Sequence, residues 1–167
     1  MQDSIVQLQT LDHDGRGVRV VFGKREDRWR HVIERVAGDE ATLVLQSQEG
    51  DASAAWPASP PFQELSDETL PDGRRVLFLV GRAGTSHWSA SIEVAHDPPR
   101  LIFDIACRHT QPPEQLGSAY TMAAPAVELT PLDGLASVQT QATVTQVLPT
   151  TIASRLPGTT RWKYCIQ

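Results

Sequence analysis

Hydrophobic and polar residues alternate along most of the chain with a period of two, not with the helical period of 3.6. The alternating runs are short, rich in Val, Leu and Thr, and end at turns that contain Gly, Asp or Pro, which is typical of antiparallel strands. This pattern predicts strands at residues 5–11, 18–22, 41–46, 76–80, 86–94, 101–107, 137–148 and 161–166. The run at 76–80 is apolar on both faces, so we expect it at the centre of a sheet.

One segment, residues 26–37, fits two interpretations. Trp29, Val32, Ile33 and Val36 have the spacing of a helix face, and Gly38 stands where a helix cap belongs. The same β-branched residues suit a strand that turns into the next strand near residues 37–40. We favour the strand and keep a single helix near 26–37 as the alternative.

Nine or ten short strands, with turn signals every 8 to 12 residues, predict an all-β fold in one domain that spans residues 1–167. Because consecutive strands usually lie side by side, we expect an antiparallel meander that closes into a single calycin-like β-barrel. A β-sandwich and an α+β fold are the alternatives. Residues 50–72 are read as a long, Pro-rich, acidic insertion that contains one helical turn.

Composition adds a charge pattern to this picture. The 167-residue chain has a net charge of −5, but residues 13–36 carry +3 and residues 37–73 carry −8. The two blocks predict either an interaction surface or neighbouring strands with opposite charges. An acidic total without clustered lysines argues against nucleic-acid binding. The sequence has no apolar run long enough to cross a membrane and no signal peptide, so we expect a cytoplasmic protein that does not bind membranes.

The strongest candidate site is the polar face of the hairpin formed by 86–94 and 101–107. A turn at residues 97–100 predicts that Glu93 faces Asp104 and that Ser89 faces Arg108. If this face is enclosed, the two carboxyl groups become an acid/base pair, whereas on an exposed face they are ordinary surface charges. A further candidate is Trp56, which could close a cavity or dock a partner. The predicted ligand-binding residues are His87, Ser89, Ser91, Glu93, Asp104, Arg108 and Trp56.

Motifs for known catalytic and metal sites are missing from the sequence. There is no phosphate-binding glycine loop, no His-Glu-x-x-His and no Gly-x-Ser-x-Gly. The run Asp12-His13-Asp14-Gly15 offers metal ligands, but a turn explains it without a metal. Cys107, His109 and Cys165 could form a thiolate site, or the two cysteines a disulfide, but buried packing is favoured. We therefore expect no metal and no cofactor.

Three functions remain in view at this point. The leading hypothesis is a non-catalytic barrel that binds a small apolar or amphipathic molecule. The first alternative is a small hydrolase or isomerase that uses Glu93, Asp104 and His87 as acid and base. The second is a protein-interaction module that uses the 50–72 insertion. The sequence leaves the oligomeric state open, a homodimer included.

Overall fold

The computed structural model describes residues 4–167, and every regular element in that range is a β-strand. The described residues contain no helix, and so none that is long and apolar enough to span a membrane. The strands within this range are β1 (Ile5–Leu11), β2 (Arg16–Arg25), β3 (Arg28–Ala37), β4 (Glu40–Ser47), β5 (Phe62–Thr69), β6 (Arg75–Ala83), β7 (Ser86–His96), β8 (Pro99–His109), β9 (Ser118–Met122), β10 (Leu129–Pro131), β11 (Ala136–Gln141), β12 (Val144–Pro149) and β13 (Gly158–Ile166).

The strands form two antiparallel sheets. Sheet A has the order β1-β2-β3-β4-β9-β12-β11, and sheet B has the order β10-β13-β8-β7-β6-β5. Each sheet is built around a four-strand meander, β1–β4 in sheet A and β5–β8 in sheet B. Residues 48–61 carry the chain from sheet A to sheet B, and residues 110–117 carry it back.

The prediction of an all-β fold is confirmed, but the single barrel is not, because neither sheet closes on itself. β1 and β11 are the edges of sheet A, and β5 and β10 are the edges of sheet B. β1 packs against β7 and β8, and β12 packs against β13, so the two sheets lie face to face. This arrangement fits the β-sandwich alternative.

The segment that resembled a helix is strand β3. The strand continues through a register shift between Ile33 and Glu34, where β3 pairs with β4. The extra residue of this bulge is Val44 of β4, whereas the pairing of β3 with β2 is continuous. Trp29 and Ile33 point into the core between the sheets, whereas Val36 is buried on the opposite face of the strand, beside Gly17 of β2.

Three other predictions from the sequence need correction. Residues 137–148 form the hairpin β11–β12 and not one strand, because Ala142 adopts a left-handed φ of 53° in the turn. Residues 50–72 are not one insertion, since their second half is the edge strand β5. Strand β6 is next to that edge and not at the centre of the sheet, and its outer face exposes Phe78 and Val80 to solvent.

The space between the sheets is filled by large side chains. The largest fully buried residues are Trp162, Tyr120, Tyr164, Phe22, Phe103, Ile33, Leu45, Leu77, Leu79, Ile92, Leu101 and Ile105. The final strand contributes two of them, Trp162 and Tyr164. A packed interior of this kind directs attention to the outer faces of the sheets as places for a ligand.

Candidate functional site

The predicted hairpin face lies on the outer surface of sheet B, with a register two residues away from the expected one. Only Asp97 and Pro98 lie between the paired ends of β7 and β8, whereas a four-residue turn was expected. Asp104 therefore faces Ser91, and Arg108 faces His87. The predicted pairs Glu93–Asp104 and Ser89–Arg108 are wrong, because Glu93 lies opposite Ile102 and Ser89 lies opposite Ala106.

Glu93 and Asp104 do not share a site, because each is neutralised by a different arginine. Arg74 donates to Glu93 across 2.5 Å, and Arg161 Nε donates to Asp104 across 2.7 Å. The guanidinium of Arg161 also makes a second contact with Asp104, which gives a bidentate pair. The geometry thus lacks the two facing carboxylates that the acid/base hypothesis required.

The other end of the same face carries positive charge. Arg82 of β6, His87 of β7 and Arg108 of β8 occupy one cross-strand row, and all three are exposed. Within residues 4–167, none of the three side chains makes an ion pair or a side-chain hydrogen bond. The guanidinium groups of Arg82 and Arg108 in this row are therefore free to bind a ligand.

A groove runs from this cationic row across the outer face of sheet B. Its volume is about 450 Å³. The groove is lined by Gln63, Glu64, Val80, Gly81, Arg82, His87, Trp88, Ser89, Ala106, Arg108 and Thr159. Val80, which is 46% exposed, and Ala106 give it an apolar part, and next to Val80 on the same strand face Phe78 is 40% exposed.

His87 and Arg108 also line a second depression, of about 500 Å³, together with Thr85 and Thr110. The two threonine hydroxyls lie 3.1 Å apart. The imidazole and the guanidinium thus stand between a polar depression and a groove that is partly apolar. Of the residues predicted from sequence, His87, Ser89 and Arg108 line the groove, whereas Ser91, Glu93 and Asp104 lie on the same face but not among its lining residues.

Trp56 is separate from this face. Its ring packs against Trp88, with centroids 6.1 Å apart, and against the buried His109 at 6.3 Å. Its carbonyl accepts a hydrogen bond of 2.7 Å from Gln115 Nε2. The indole ring of Trp56 is partly buried and packs against the core, and Trp56 is not among the large hydrophobic residues that are exposed to solvent.

The two cysteines and His109 do not form a metal site. Cys107 and His109 face inward on β8, whereas Cys165 lies on the opposite face of β13, where it pairs with Ile102. The cysteines are five register positions apart, so the proposed disulfide is excluded by geometry. Burial raises the pKa of the Cys107 thiol to about 12, which leaves it protonated and unreactive.

The turn around Asp12 also has a structural explanation. Asp12 Oδ1 accepts hydrogen bonds from the backbone N–H groups of Asp14 and Arg16, at 2.8 and 2.9 Å. These bonds hold the pKa of the Asp12 carboxyl below its usual value. Among the described residues, no group of three or more metal-ligating side chains comes together, at this turn or elsewhere.

A buried polar chain between the sheets was missed by the sequence analysis. His31 Nε2 lies 3.0 Å from the hydroxyl of Tyr120, which lies 2.7 Å from the hydroxyl of Tyr164. Burial lowers the pKa of His31 to about 3 and raises that of Tyr164 to about 12, so all three groups are neutral near pH 7. The alternation of Trp29, His31 and Ile33 was the signal that could have placed His31 inside.

A second buried cluster links the buried polar chain at His31 to residues 48–61. Ser47 Oγ accepts from the backbone N–H of His31 at 3.0 Å and donates to the buried carboxylate of Glu49. Burial raises the pKa of Glu49, against the opposing influence of Arg30 and Arg28. Arg28 Nη2 donates to the carbonyl of Ala52 at 2.9 Å. These contacts fasten the segment, so the cluster has a structural role.

Comparison of the chain with protein-family models, with curated proteins and with solved structures gave no match. The assignment of function therefore rests on the geometry of the outer face of sheet B.

Proposed function

We propose that this protein is a non-catalytic binding protein that holds a small amphipathic anion in the groove on the outer face of sheet B. The observation that carries this proposal is the cationic row Arg82, His87 and Arg108 at one end of a groove whose floor includes exposed Val80. The ligand's acidic head group binds the row, and its apolar part lies along the groove.

The charge distribution on this face supports an anionic head group. At the other end of the face, Asp104 and Glu93 are occupied by Arg161 and Arg74. Arg82 and Arg108 have no such partner in the described part of the chain. An arginine guanidinium matches a carboxylate or phosphate in planar, two-bond geometry, and such charge-assisted hydrogen bonds are the stronger kind.

The apolar part of the groove supports an amphipathic ligand and not a purely polar one. Val80 lies between Glu64 on β5 and Ser89 on β7, and Ala106 follows on β8. The small side chains of Ser89 and Ala106 leave room above the sheet. Each Å² of apolar surface that the ligand and Val80 remove from water contributes about 25 cal/mol.

Binding is favoured over catalysis because the groove lacks an activated group. Glu93 and Asp104 are engaged by arginines, Glu64 of the groove lining is exposed to solvent, and the Cys107 thiol lies in the interior with a raised pKa. A surface groove also leaves a reacting group in contact with water, where electrostatic stabilisation is weak.

The test is titration of the protein with octanoate and octyl phosphate, followed by amide chemical shifts and by calorimetry. We expect shifts centred on residues 80–89 and 106–108, and weaker binding of octanol, which lacks the charge. Arg108→Ala and Arg82→Ala should each weaken binding of the anions about tenfold.

The matched control is Arg25→Ala, because Arg25 is an exposed arginine on sheet A that is not among the residues lining the groove. This variant should bind both anions like the unsubstituted chain. Equal weakening in Arg25→Ala and Arg108→Ala would mean nonspecific attraction to positive charge and would overturn the proposal. If octanol binds as tightly as octanoate, the cationic row does not contribute to binding, and the proposal is also overturned.

A further inference from the structure

The edge strands of the two sheets differ in how they are protected against pairing with another strand. In sheet B, the edge strand β5 carries Glu64, Asp67 and Glu68 and has a register shift at its start. The other edge, β10, has three residues and ends in Pro131. Charges, bulges, prolines and short length are the devices that prevent edge-to-edge association.

The edge strand β1 of sheet A has none of these devices. Its seven residues, Ile-Val-Gln-Leu-Gln-Thr-Leu, include no charge and no proline. Its register with β2 is continuous from Ile5 to Leu11. Ile5 is 66% exposed on the outer face, the highest exposure among the large hydrophobic side chains that the structure describes.

The backbone of β1 alternates between groups that bond to β2 and groups that point away from the sheet. The carbonyl of Ser4 accepts from Lys24 N–H, and Asp12 N–H donates to the carbonyl of Arg16. In an antiparallel pair, hydrogen-bonded and non-hydrogen-bonded residue pairs alternate along the strand. The bonds at Ser4 and Asp12 therefore show that the even-numbered residues of β1 are the ones whose backbone groups bond to β2. The N–H and C=O groups of Ile5, Gln7, Gln9 and Leu11 therefore point to the open edge.

We propose that β1 pairs with β1 of a second copy of this chain, antiparallel and about a two-fold axis at Leu8, so that two copies of sheet A become one continuous sheet. The open-edge groups of the four odd-numbered residues match those of the second copy in this register. Each facing pair exchanges two backbone hydrogen bonds, which gives about eight in all.

The side chains are complementary in the same register. Ile5 lies opposite Leu11 of the second copy, so the most exposed large apolar side chain gains an apolar neighbour. Gln7 lies opposite Gln9 of the second copy, and two uncharged amides do not repel. A two-fold interface also closes after two copies and leaves no free β1 edge for further growth.

The second edge of sheet A, β11, is also uncharged, but it is a weaker site. β11 lies in contact with β10, the short edge strand of sheet B, at the side of the sandwich. Pairing of β1 with β11 of another copy would be head-to-tail and would produce open polymers instead of a dimer. The two arrangements are therefore distinguished by the mass of the assembly.

The experiment is sedimentation velocity of the full chain over a range of concentrations. We expect the mass to rise from that of the 18.3 kDa monomer to that of a dimer. In the variant Gln7→Lys/Gln9→Lys, lysines face lysines across the two-fold axis, so the dimer dissociation constant should rise about tenfold or more. In Gln7→Lys/Gln9→Glu, each lysine faces a glutamate of the second copy, and the dimer should persist.

The charge-swap variant ensures that loss of the dimer in the double-lysine variant cannot be attributed to failed folding. Gln139→Lys/Gln141→Lys places the same charges on exposed positions of β11 and should leave the dimer intact. A chain that stays monomeric up to about 1 mM, the weak end of specific association, would overturn the proposal. A dimer that survives Gln7→Lys/Gln9→Lys, or a polymer in place of the dimer, would also overturn it.

Discussion

A buried tyrosine hydroxyl needs a hydrogen-bonding partner, and at the centre of this protein Tyr120 and Tyr164 provide one for each other. The pair joins the two sheets, because Tyr120 belongs to β9 of sheet A and Tyr164 to β13 of sheet B. Trp162 Nε1 donates to Ser118 Oγ at 3.0 Å beside them. These polar contacts fix the position of one sheet on the other more specifically than apolar packing alone.

Replacement of Tyr164 by Phe should destabilise the fold, because it leaves the Tyr120 hydroxyl in the interior without this partner. We expect the free energy of unfolding to fall by about 1–3 kcal/mol, measured by urea denaturation. The double variant Tyr120→Phe/Tyr164→Phe should lose less than the sum of the single losses, since each single variant already removes the hydrogen bond between the two hydroxyls. Strictly additive losses would show that the two hydroxyls do not interact.

At the scale of strands, alternation predicted most of the elements but not their register. The face of each strand in the β7–β8 hairpin followed from periodicity, whereas the pairing of its residues depended on a turn of two residues that the sequence did not specify. β3 was ambiguous because Ile33 and Val36 are buried on opposite faces of the strand and together imitate the spacing of a helix face. β9 and β10 lie in a Pro-rich passage and are too short to give a periodic signal.

The candidate site was predictable only in part, for the same reason. His87 and Arg108 were identified because they are polar residues on one face of a hairpin. Arg82 was missed, since its place beside His87 depends on the pairing of β6 with β7. Val76–Val80 was read as covered on both sides, although apolar Phe78 and Val80 are exposed on the groove side. Which residues lie side by side on three strands depends on the register of the strands, and the alternation of polar and apolar residues does not predict that register.

Gly81 of β6 lies against the backbone of Pro61, just before β5 begins, and leaves no room there for a side chain. A methyl group on Gly81 would lie 1.8 Å from the carbonyl oxygen of Pro61, and only a backbone shift can relieve that contact. Gly81→Ala should therefore lower the free energy of unfolding by about 2 kcal/mol or more. Gly23→Ala in β2 is the control, because no heavy atom lies within 4 Å of its added methyl group.

The control substitution should be neutral or slightly stabilising, since alanine restricts the unfolded chain. Thermal unfolding of both variants measures the contrast. Similar midpoints for Gly81→Ala and Gly23→Ala would mean that the β5–β6 pairing yields easily at Pro61.

At the scale of the whole molecule, the basic block (residues 13–36) and the acidic block (residues 37–73) contact each other in the interior and not only at the surface. Arg28, from the basic block, is buried near the acidic residues Glu49 and Asp51, and its guanidinium lowers the pKa of both carboxyls in part. On the surface, acids of the same block pair with Arg74 and Arg75 instead. Because His31 and Glu49 lie between the sheets, their protonation is linked to unfolding of the entire domain.

Mild acid should destabilise the protein through His31. Burial lowers the pKa of His31 from 6.5 to about 3, so between these values the unfolded chain binds a proton that the folded chain does not. Stability that is present above pH 6.5 is therefore lost as the pH falls, by about 1.4 kcal/mol per pH unit or about 2.7 kcal/mol at pH 4.5. Urea denaturation at pH 7 and pH 4.5 measures this loss, which should largely disappear in His31→Gln.

Burial of Glu49 should change the free energy of unfolding with pH in the direction opposite to that of His31. Its pKa is raised above 4.5 by burial, so the folded protein takes up a proton at a higher pH than the unfolded chain does. This group therefore favours the fold as the pH falls, and its contribution is lost as the pH rises through the raised value. Glu49→Gln removes that compensation, so its stability should fall more steeply between pH 7 and pH 4.5 than that of the unsubstituted chain. If the curves of His31→Gln and Glu49→Gln both run parallel to the parent curve, the acid response belongs to surface carboxylates and not to the buried groups between the sheets.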